Sequence, residues 1–256
     1  MTVILRTEAL NCYFSGLRAV ADLTFDVKAG EIKGVIGPNG AGKSTLFNMI
    51  AGVTRPNSGK IWFDGRSIES LPAFERARLG ISRTFQNLQI FKEMTVLENV
   101  VAGRHMHGAV GFAAALLRTP AVGVENRAMK ANAMRLLERF GMADCAHQPA
   151  GSLSFGEMKI LELARALACE PRLLLLDEPA AGLPRAAADR IAEIIAELNR
   201  DGLTVLLVEH NMRMVMSLAH EILVLNNGER IAEGDASAIR RHPDVLAAYL
   251  GETADA

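Results

Sequence analysis

Gly37-Pro38-Asn39-Gly40-Ala41-Gly42-Lys43-Ser44-Thr45 is the stretch on which the reading of this chain turns. It contains G-x-x-x-x-G-K-[ST], the Walker A pattern, from Gly37 to Ser44. An apolar run at 32–36 precedes it and a helix-like run at 45–51 follows. A strand, a glycine-rich turn and a helix start together form a phosphate site. The glycines let successive backbone N–H groups turn inward. The helix N-terminus adds about half a positive charge. Lys43 can reach the β- and γ-phosphates, and the Ser44 hydroxyl can ligate Mg²⁺. The competing reading, a glycine-rich turn with no ligand, is disfavoured by the strand before and the helix after.

The chain has 256 residues, enough for one large domain or a core with an added lobe. Half of it is apolar and 22% is charged, as in ordinary globular proteins. The formal net charge is −1, which argues against a nucleic-acid partner. Cys12, Cys145 and Cys169 are far apart and form no C-x-x-C. They read as free thiols in a reducing compartment, or simply as small buried hydrophobes. Residues 1–10 carry Arg6 and Glu8 and do not read as a signal peptide. The longest quiet apolar stretch, 108–117, is half a membrane span at best. The expectation is a soluble or peripheral protein whose membrane role, if any, needs partners.

Outward from the phosphate loop, the N-terminal segment reads as antiparallel strands. Residues 20–27 alternate, with Leu23, Phe25 and Val27 on one face and Asp22, Thr24 and Asp26 on the other. Gly52 is a candidate helix C-cap, and Asp64-Gly65 a tight turn. From about Pro72 to Ala168 the pattern is helical, clearest at 126–140. Within it, residues 108–123 are rich in Ala and Gly, contain Pro120, and read as loops around a short helix at 112–117. Strand-type runs at 172–176, apolar after Arg172, and at 203–208 flank a helix at 184–199, a β-α-β unit with parallel strands. Residues 221–225 and 229–233 flank Asn226-Asn227-Gly228 as a hairpin, and 244–250 read as a short helix. The expected fold is α/β: a P-loop NTPase core with a parallel sheet, an N-terminal antiparallel β flank and an inserted helical subdomain. The core takes residues 1–88 and 166–256, and the helical subdomain 89–165.

A phosphate loop alone does not name a reaction. Residues 173–178 read Leu-Leu-Leu-Leu-Asp-Glu. A carboxylate at the C-terminal end of a buried parallel strand sits where ligands bind in open α/β sheets. Asp177 can hold the Mg²⁺ shell and Glu178 can take a proton from an attacking water. The plain alternative is a surface Asp-Glu pair ending a strand. Residues 151–161 read GSLSFGEMKIL, where Ser154 opens a helix and could form a second anion site. On this peptide alone, an ordinary capping box between Ser154 and Glu157 is the better reading. His105 and His107 have no third ligand nearby and read as a solvated loop.

In order and spacing, GPNGAGKST, Gln86 in SRTFQNLQIF, LSFGE, LLLLDEP and His210 in LLVEH resemble the ATP-binding subunit of ABC transporters. The likeness covers nearly the whole chain. Within that family, RTFQNLQIFKEMTVLENV, DEPAAGL, VEHNMRMVM and HPDVLAAYLGE are most similar to branched-chain amino acid importers. Together with the 108–123 segment, they look like the larger ATP-binding subunit of such systems. The resemblance implies an ATPase that uses ATP and Mg²⁺. It implies that Phe14, or else Tyr13, stacks on adenine, and that Gly37, Pro38, Asn39, Gly40, Ala41, Gly42, Lys43, Ser44, Thr45 and Asp177 bind ATP. Gln86 would touch the Mg²⁺, shared with Ser44 and Asp177, and the nucleophilic water. Glu178, His210 and Gln86 would carry catalysis. Ser154, Phe155, Gly156 and Glu157 would meet ATP held by a second subunit, so that two chains sandwich two ATPs head to tail.

The implied partners are two transmembrane permease subunits, a second ATP-binding subunit and, indirectly, a periplasmic or extracellular solute-binding protein. The implied location is the cytoplasmic face of the inner membrane. Three departures stand out: Phe155 replaces a glycine, Glu157 replaces the usual Gln, and Pro184 stands where many members carry Asp, or Asn in this branch. Pro184 removes a residue that in the family helps couple the two sites. A lipid or lipopolysaccharide extraction ATPase of the same family is the alternative, and the 108–123 segment is not expected there. Soluble family members in translation or repair carry two fused nucleotide domains or a long coiled-coil insertion, and this chain has neither. A kinase would lack Ser154 and His210 at these places.

Overall fold

The computed structural model describes residues 2–84, 88–104 and 120–251. In chain order the elements begin with strands β1 (Val3–Phe14), β2 (Leu17–Lys28) and β3 (Ile32–Ile36), then helix α1 (Lys43–Ala51). Strands β4 (Ser58–Phe63) and β5 (Arg66–Ser67), helix α2 (Ala73–Arg78) and strand β6 (Ile81–Arg83) follow. Helices α3 (Val96–Arg104), α4 (Pro120–Arg139) and α5 (Phe155–Leu167) come next. The chain then returns to strand with β7 (Leu173–Asp177), α6 (Arg185–Arg200), β8 (Thr204–Val208), α7 (Met212–Leu218), β9 (Glu221–Asn226) and β10 (Glu229–Gly234). Helices α8 (Ala236–Arg241) and α9 (Pro243–Gly251) complete it. Two compact units result: Met1–Arg83 with Arg172–Ala256, and Thr84–Pro171.

Two kinds of hydrophobic pattern build the two sheets of the first unit. β3, β7 and β8 are buried along their whole length, as parallel strands covered on both faces must be. They lie in a six-stranded sheet of order β10-β9-β3-β8-β7-β6, parallel except for β10. The register sets Val35 opposite Val208 and Leu223, and Asp177 opposite Val208. The C-terminal ends of β3, β7 and β8 therefore emerge side by side. β1 and β2 alternate instead, and form a four-stranded antiparallel sheet of order β2-β1-β4-β5. Their inward residues, among them Leu5, Leu10, Leu23, Phe25 and Val27, share one core with Leu46, Phe47 and Ile50 of α1 and Leu175 and Val208 of the parallel sheet.

The end of α1 shows how polar groups are satisfied inside this core. Gly52 caps the helix in the left-handed conformation at φ 79°. The buried Arg76 guanidinium donates to the carbonyls of Met49, Ile50, Glu69 and Leu71, taking up free acceptors of the last helical turn. Burial pulls its pKa down to about 10.

The second unit is helical, and α4 spans the stretch with the clearest 3.6-residue periodicity. Asn99, fully buried on α3, accepts from the Phe91 N–H and donates to the Phe91 and Thr95 carbonyls. A Cβ on Gly103 would lie 2.2 Å from the Arg165 carbonyl oxygen, so glycine allows α3 and α5 to cross closely.

Two expectations are corrected. The helical stretch read from Pro72 is broken by β6, which pairs in parallel with β7 through Ile81, Ser82 and Arg83. Three residues with only one apolar side chain carry no strand periodicity; the pairing is imposed by β7. Pro120, read as part of a loop, opens α4. Proline is suited to a first helical turn, where its missing N–H leaves no bond unmade. The short helix expected at 112–117, like His105 and His107, lies outside the described residues.

Candidate functional site

The phosphate loop leaves β3 at a position where only glycine fits. Gly37 has φ 152°, and a Cβ there would stand 2.1 Å from the Leu225 carbonyl oxygen. Gly42 has φ 97°, and a Cβ there would meet the Ala19 carbonyl oxygen at 2.3 Å. The turn between β9 and β10 braces the same loop. The Gly228 N–H donates to the Ala41 carbonyl at 3.1 Å, and the Ala21 N–H donates to the Gly228 carbonyl at 2.9 Å. This brace is not visible in the local sequence, because it joins residues nearly 190 positions apart.

Lys43 is buried in the curl of the loop, its Nζ donating to the carbonyls of Gly37 at 2.5 Å and Pro38 at 2.8 Å. Ser44, Asn39 and Gly40 are exposed beside it. Asp177 ends β7 with 2% of its surface exposed. Its Oδ2 accepts from Arg83 Nη2 at 2.8 Å, while Arg83 Nη1 holds Asn48 Oδ1 of α1 at 2.5 Å. Sequence reasoning missed Arg83; an arginine at the end of an edge strand gives no local sign of its partner.

Glu178 follows in a left-handed conformation, φ 50°, with its N–H donating to the Val208 carbonyl at 2.9 Å. Its Oε1 lies 3.0 Å from His210 Nε2. Glu178, from the end of β7, and His210, two residues past β8, are thus brought together. Glu209, next to His210 in the chain and 3% exposed, also went unnoticed. A carboxylate directly after a buried strand is the signal that flagged Asp177 and Glu178, and it applied equally here.

Tyr13 and Phe14 are both about half exposed at the end of β1. Strand alternation places Phe14 on the face of Leu10 and Cys12, both buried in the core that contains Ala41 of the loop.

In the second unit, Ser154 is the N-cap of α5 in a complete capping box. Ser154 N–H and Oγ donate to Glu157 Oε2 at 2.8 and 2.6 Å, and the Glu157 N–H donates back to Oγ. The Ser154 hydroxyl and then its backbone N–H hold the Glu157 carboxyl below the usual range. Phe155 is about half exposed, with Lys159 Nζ 5.9 Å from its ring centre. Gln86 lies outside the described residues.

Residues 20–181 match the family model described as ABC transporter. The chain belongs to the ABC transporter family. As an ABC ATP-binding cassette it binds nucleotide and is an ATPase. Residues 229–255 further match the model described as branched-chain amino acid ATP-binding cassette transporter. Among its relatives is the high-affinity branched-chain amino acid transport ATP-binding protein BraF of Pseudomonas aeruginosa, 42% identical, with 97% of this chain and 98% of BraF covered. The LivG protein of Escherichia coli K12, of the same description, is 40% identical over the same shares. A nucleotide-free ATP-binding cassette from an ABC transporter superposes with TM-score 0.85 at 34% identity, covering 97% of this cassette and 99% of that chain. A cassette in its ADP conformation superposes equally well at 33% identity, covering 98% and 100%. Among the described residues of this ABC protein, no helix is long and apolar enough to cross a membrane.

Proposed function

We propose that this chain powers an importer of branched-chain or related amino acids from the cytoplasmic face of the inner membrane. It would act through two permease subunits, as one of a pair of ATP-binding subunits, with a solute-binding protein delivering cargo outside. The names of BraF and LivG support this cargo over lipid or lipopolysaccharide extraction.

The observation that carries the chemical reading is the 3.0 Å approach of His210 Nε2 to Glu178 Oε1 at the sheet edge that bears the phosphate loop. In this reading the loop N–H groups and Lys43 bind the β- and γ-phosphates, and Phe14 stacks on adenine. The Ser44 hydroxyl and the Asp177 carboxylate are hard oxygen donors that fit Mg²⁺ shared with a nucleotide, with Gln86 as a third. Bound there, Mg²⁺ would neutralise charge developing on the phosphates. Glu178 accepts a proton from the attacking water as its oxygen bonds to the γ-phosphorus and the bond to the ADP oxygen breaks. His210 orients that exchange from the γ-phosphate side. Ser154, Phe155, Gly156 and Glu157 contact ATP on the second subunit, which lets ATP favour the closed pair.

The test is Glu178→Gln. Hydrolysis falls roughly 10²–10⁴-fold with nucleotide affinity retained. A variant hydrolysing at the parent rate removes Glu178 from this role. For the cargo, the protein is purified with its membrane partners, and ATP-driven uptake of labelled leucine is measured in vesicles; transport of lipid instead selects the alternative.

A further inference from the structure

Glu209 is a buried acid that the roles above do not use. Its Oε1 accepts from the Ala180 N–H at 2.8 Å. Its Oε2 accepts from the His210 N–H at 3.0 Å and the Asn211 N–H at 3.1 Å. Ala180 lies two residues beyond Glu178 on the loop leaving β7. His210 and Asn211 lie on the loop leaving β8. One carboxylate therefore ties together the two loops whose side chains meet as Glu178 and His210.

Turn bonds from the Ala181 N–H to the Glu178 carbonyl and from the Leu183 N–H to the Ala180 carbonyl hold the first loop only to itself, and the Asn211 cap holds the second only to its helix, so the Glu209 carboxylate adds a tie between them. Both lie beyond the last ladder bonds of their strands. Glu178 adopts a left-handed φ of 50°, which a residue with a side chain keeps only when its surroundings over-determine it. Three restraints act on that backbone: the Glu178 N–H bonds the Val208 carbonyl, the Glu178 carbonyl accepts from the Ala181 N–H, and Glu209 takes the Ala180 N–H. An ionisable side chain 3% exposed would be costly to bury without such partners. It receives three N–H donors, which only an acceptor on both oxygens can satisfy.

We infer that Glu209 is a positioning residue for hydrolysis. It fixes the separation of Glu178 and His210 by clamping both loop backbones, and touches neither nucleotide nor water. The inference rests on the proposed roles of Glu178 and His210.

The change Glu209→Gln keeps size but replaces one acceptor oxygen by an amide NH₂, which faces an N–H donor on one of the two loops. Hydrolysis of Mg-ATP, nucleotide affinity and thermal unfolding are measured on the full chain for Glu209→Gln, His210→Ala and the double variant. The expected result is a kcat loss of roughly 10–100-fold from Glu209→Gln, since displacements near an ångström carry such costs. KM and nucleotide affinity stay within about twofold, and in the His210→Ala background the further loss shrinks below about threefold. An unchanged kcat, or an equal loss in both backgrounds, overturns the inference. So does a fall in nucleotide affinity that matches the fall in kcat. If His210→Ala itself hydrolyses normally, the reading of His210 fails instead, and the two failures are told apart. Should Glu209→Gln not fold, Glu209→Asp keeps both acceptors but shortens their reach by one methylene. A folded Asp variant is expected to lose kcat at unchanged KM, and parent-like kcat overturns the proposal.

Discussion

Arg83 Nη2 and Asp177 Oδ2 form an ion pair at 2.8 Å, with the carboxylate almost wholly buried. Arg83 also reaches Asn48, so this one side chain links β6, α1 and the end of β7. Breaking a buried pair on one side leaves a charge without its partner. Arg83→Leu is expected to cost about 3 kcal/mol in urea unfolding, the low end for such pairs because the Arg83 side chain keeps a tenth of its surface in water. Adding Asp177→Asn recovers much of that loss. If the two losses simply add, the pair is not what couples them.

Lys43 offers a cleaner test of binding. Its ammonium is bonded to two carbonyls of the phosphate loop. Lys43→Ala weakens ATP binding by one to two orders of magnitude, about 1.4–2.8 kcal/mol by calorimetry. Parent-like affinity takes Lys43 out of the phosphate site.

The loop glycines are expected to rank by space rather than by φ. A Cβ on Gly42 would meet a backbone oxygen at 2.3 Å, whereas one on Gly40, at φ 78°, meets nothing within 4 Å. Gly40→Ala costs about 1–2 kcal/mol for its left-handed backbone alone. Gly42→Ala costs more and displaces Lys43, so it also lowers nucleotide affinity. Thermal unfolding showing Gly40 as the more sensitive position contradicts this order.

Ser154 carries a structural duty beside its proposed contact with ATP. Ser154→Ala is expected to cost about 1 kcal/mol through loss of the cap. Glu157 adds a pH dependence of known sign. Its pKa is lowered on folding, so its contribution is present above its unfolded value of 4.5 and disappears as the pH falls through the folded value. The stability gap between the parent and Glu157→Ala therefore closes on acidification below that point. A gap that widens there shows that the carboxylate is not held by Ser154.

The central sheet was legible where its strands are mainly apolar runs, as in β7, β8 and β9. β7, β8 and the β9–β10 hairpin fall within one residue of their expected spans. The phosphate loop was legible because its glycines answer a local steric demand. What local sequence does not carry is pairing imposed from elsewhere. β6 exists because β7 offers it an edge, and Arg83 finds Asp177 across 94 positions. Glu209 was missed for a different reason: the carboxylate was in plain view after an apolar run, but its role appears only when the Ala180 N–H arrives beside it.

The hairpin turn at Asn227 and Gly228 has a consequence for how the protein is made. During synthesis the glycine-rich curl emerges before the strand beside it, β9, and before the turn that pins Ala41 and Ala21. A nascent chain halted before Gly228 exposes the curl without its buttress. The shape of the curl therefore rests on contacts made across nearly 190 positions, and it cannot be locked until that distant turn has been added to the chain.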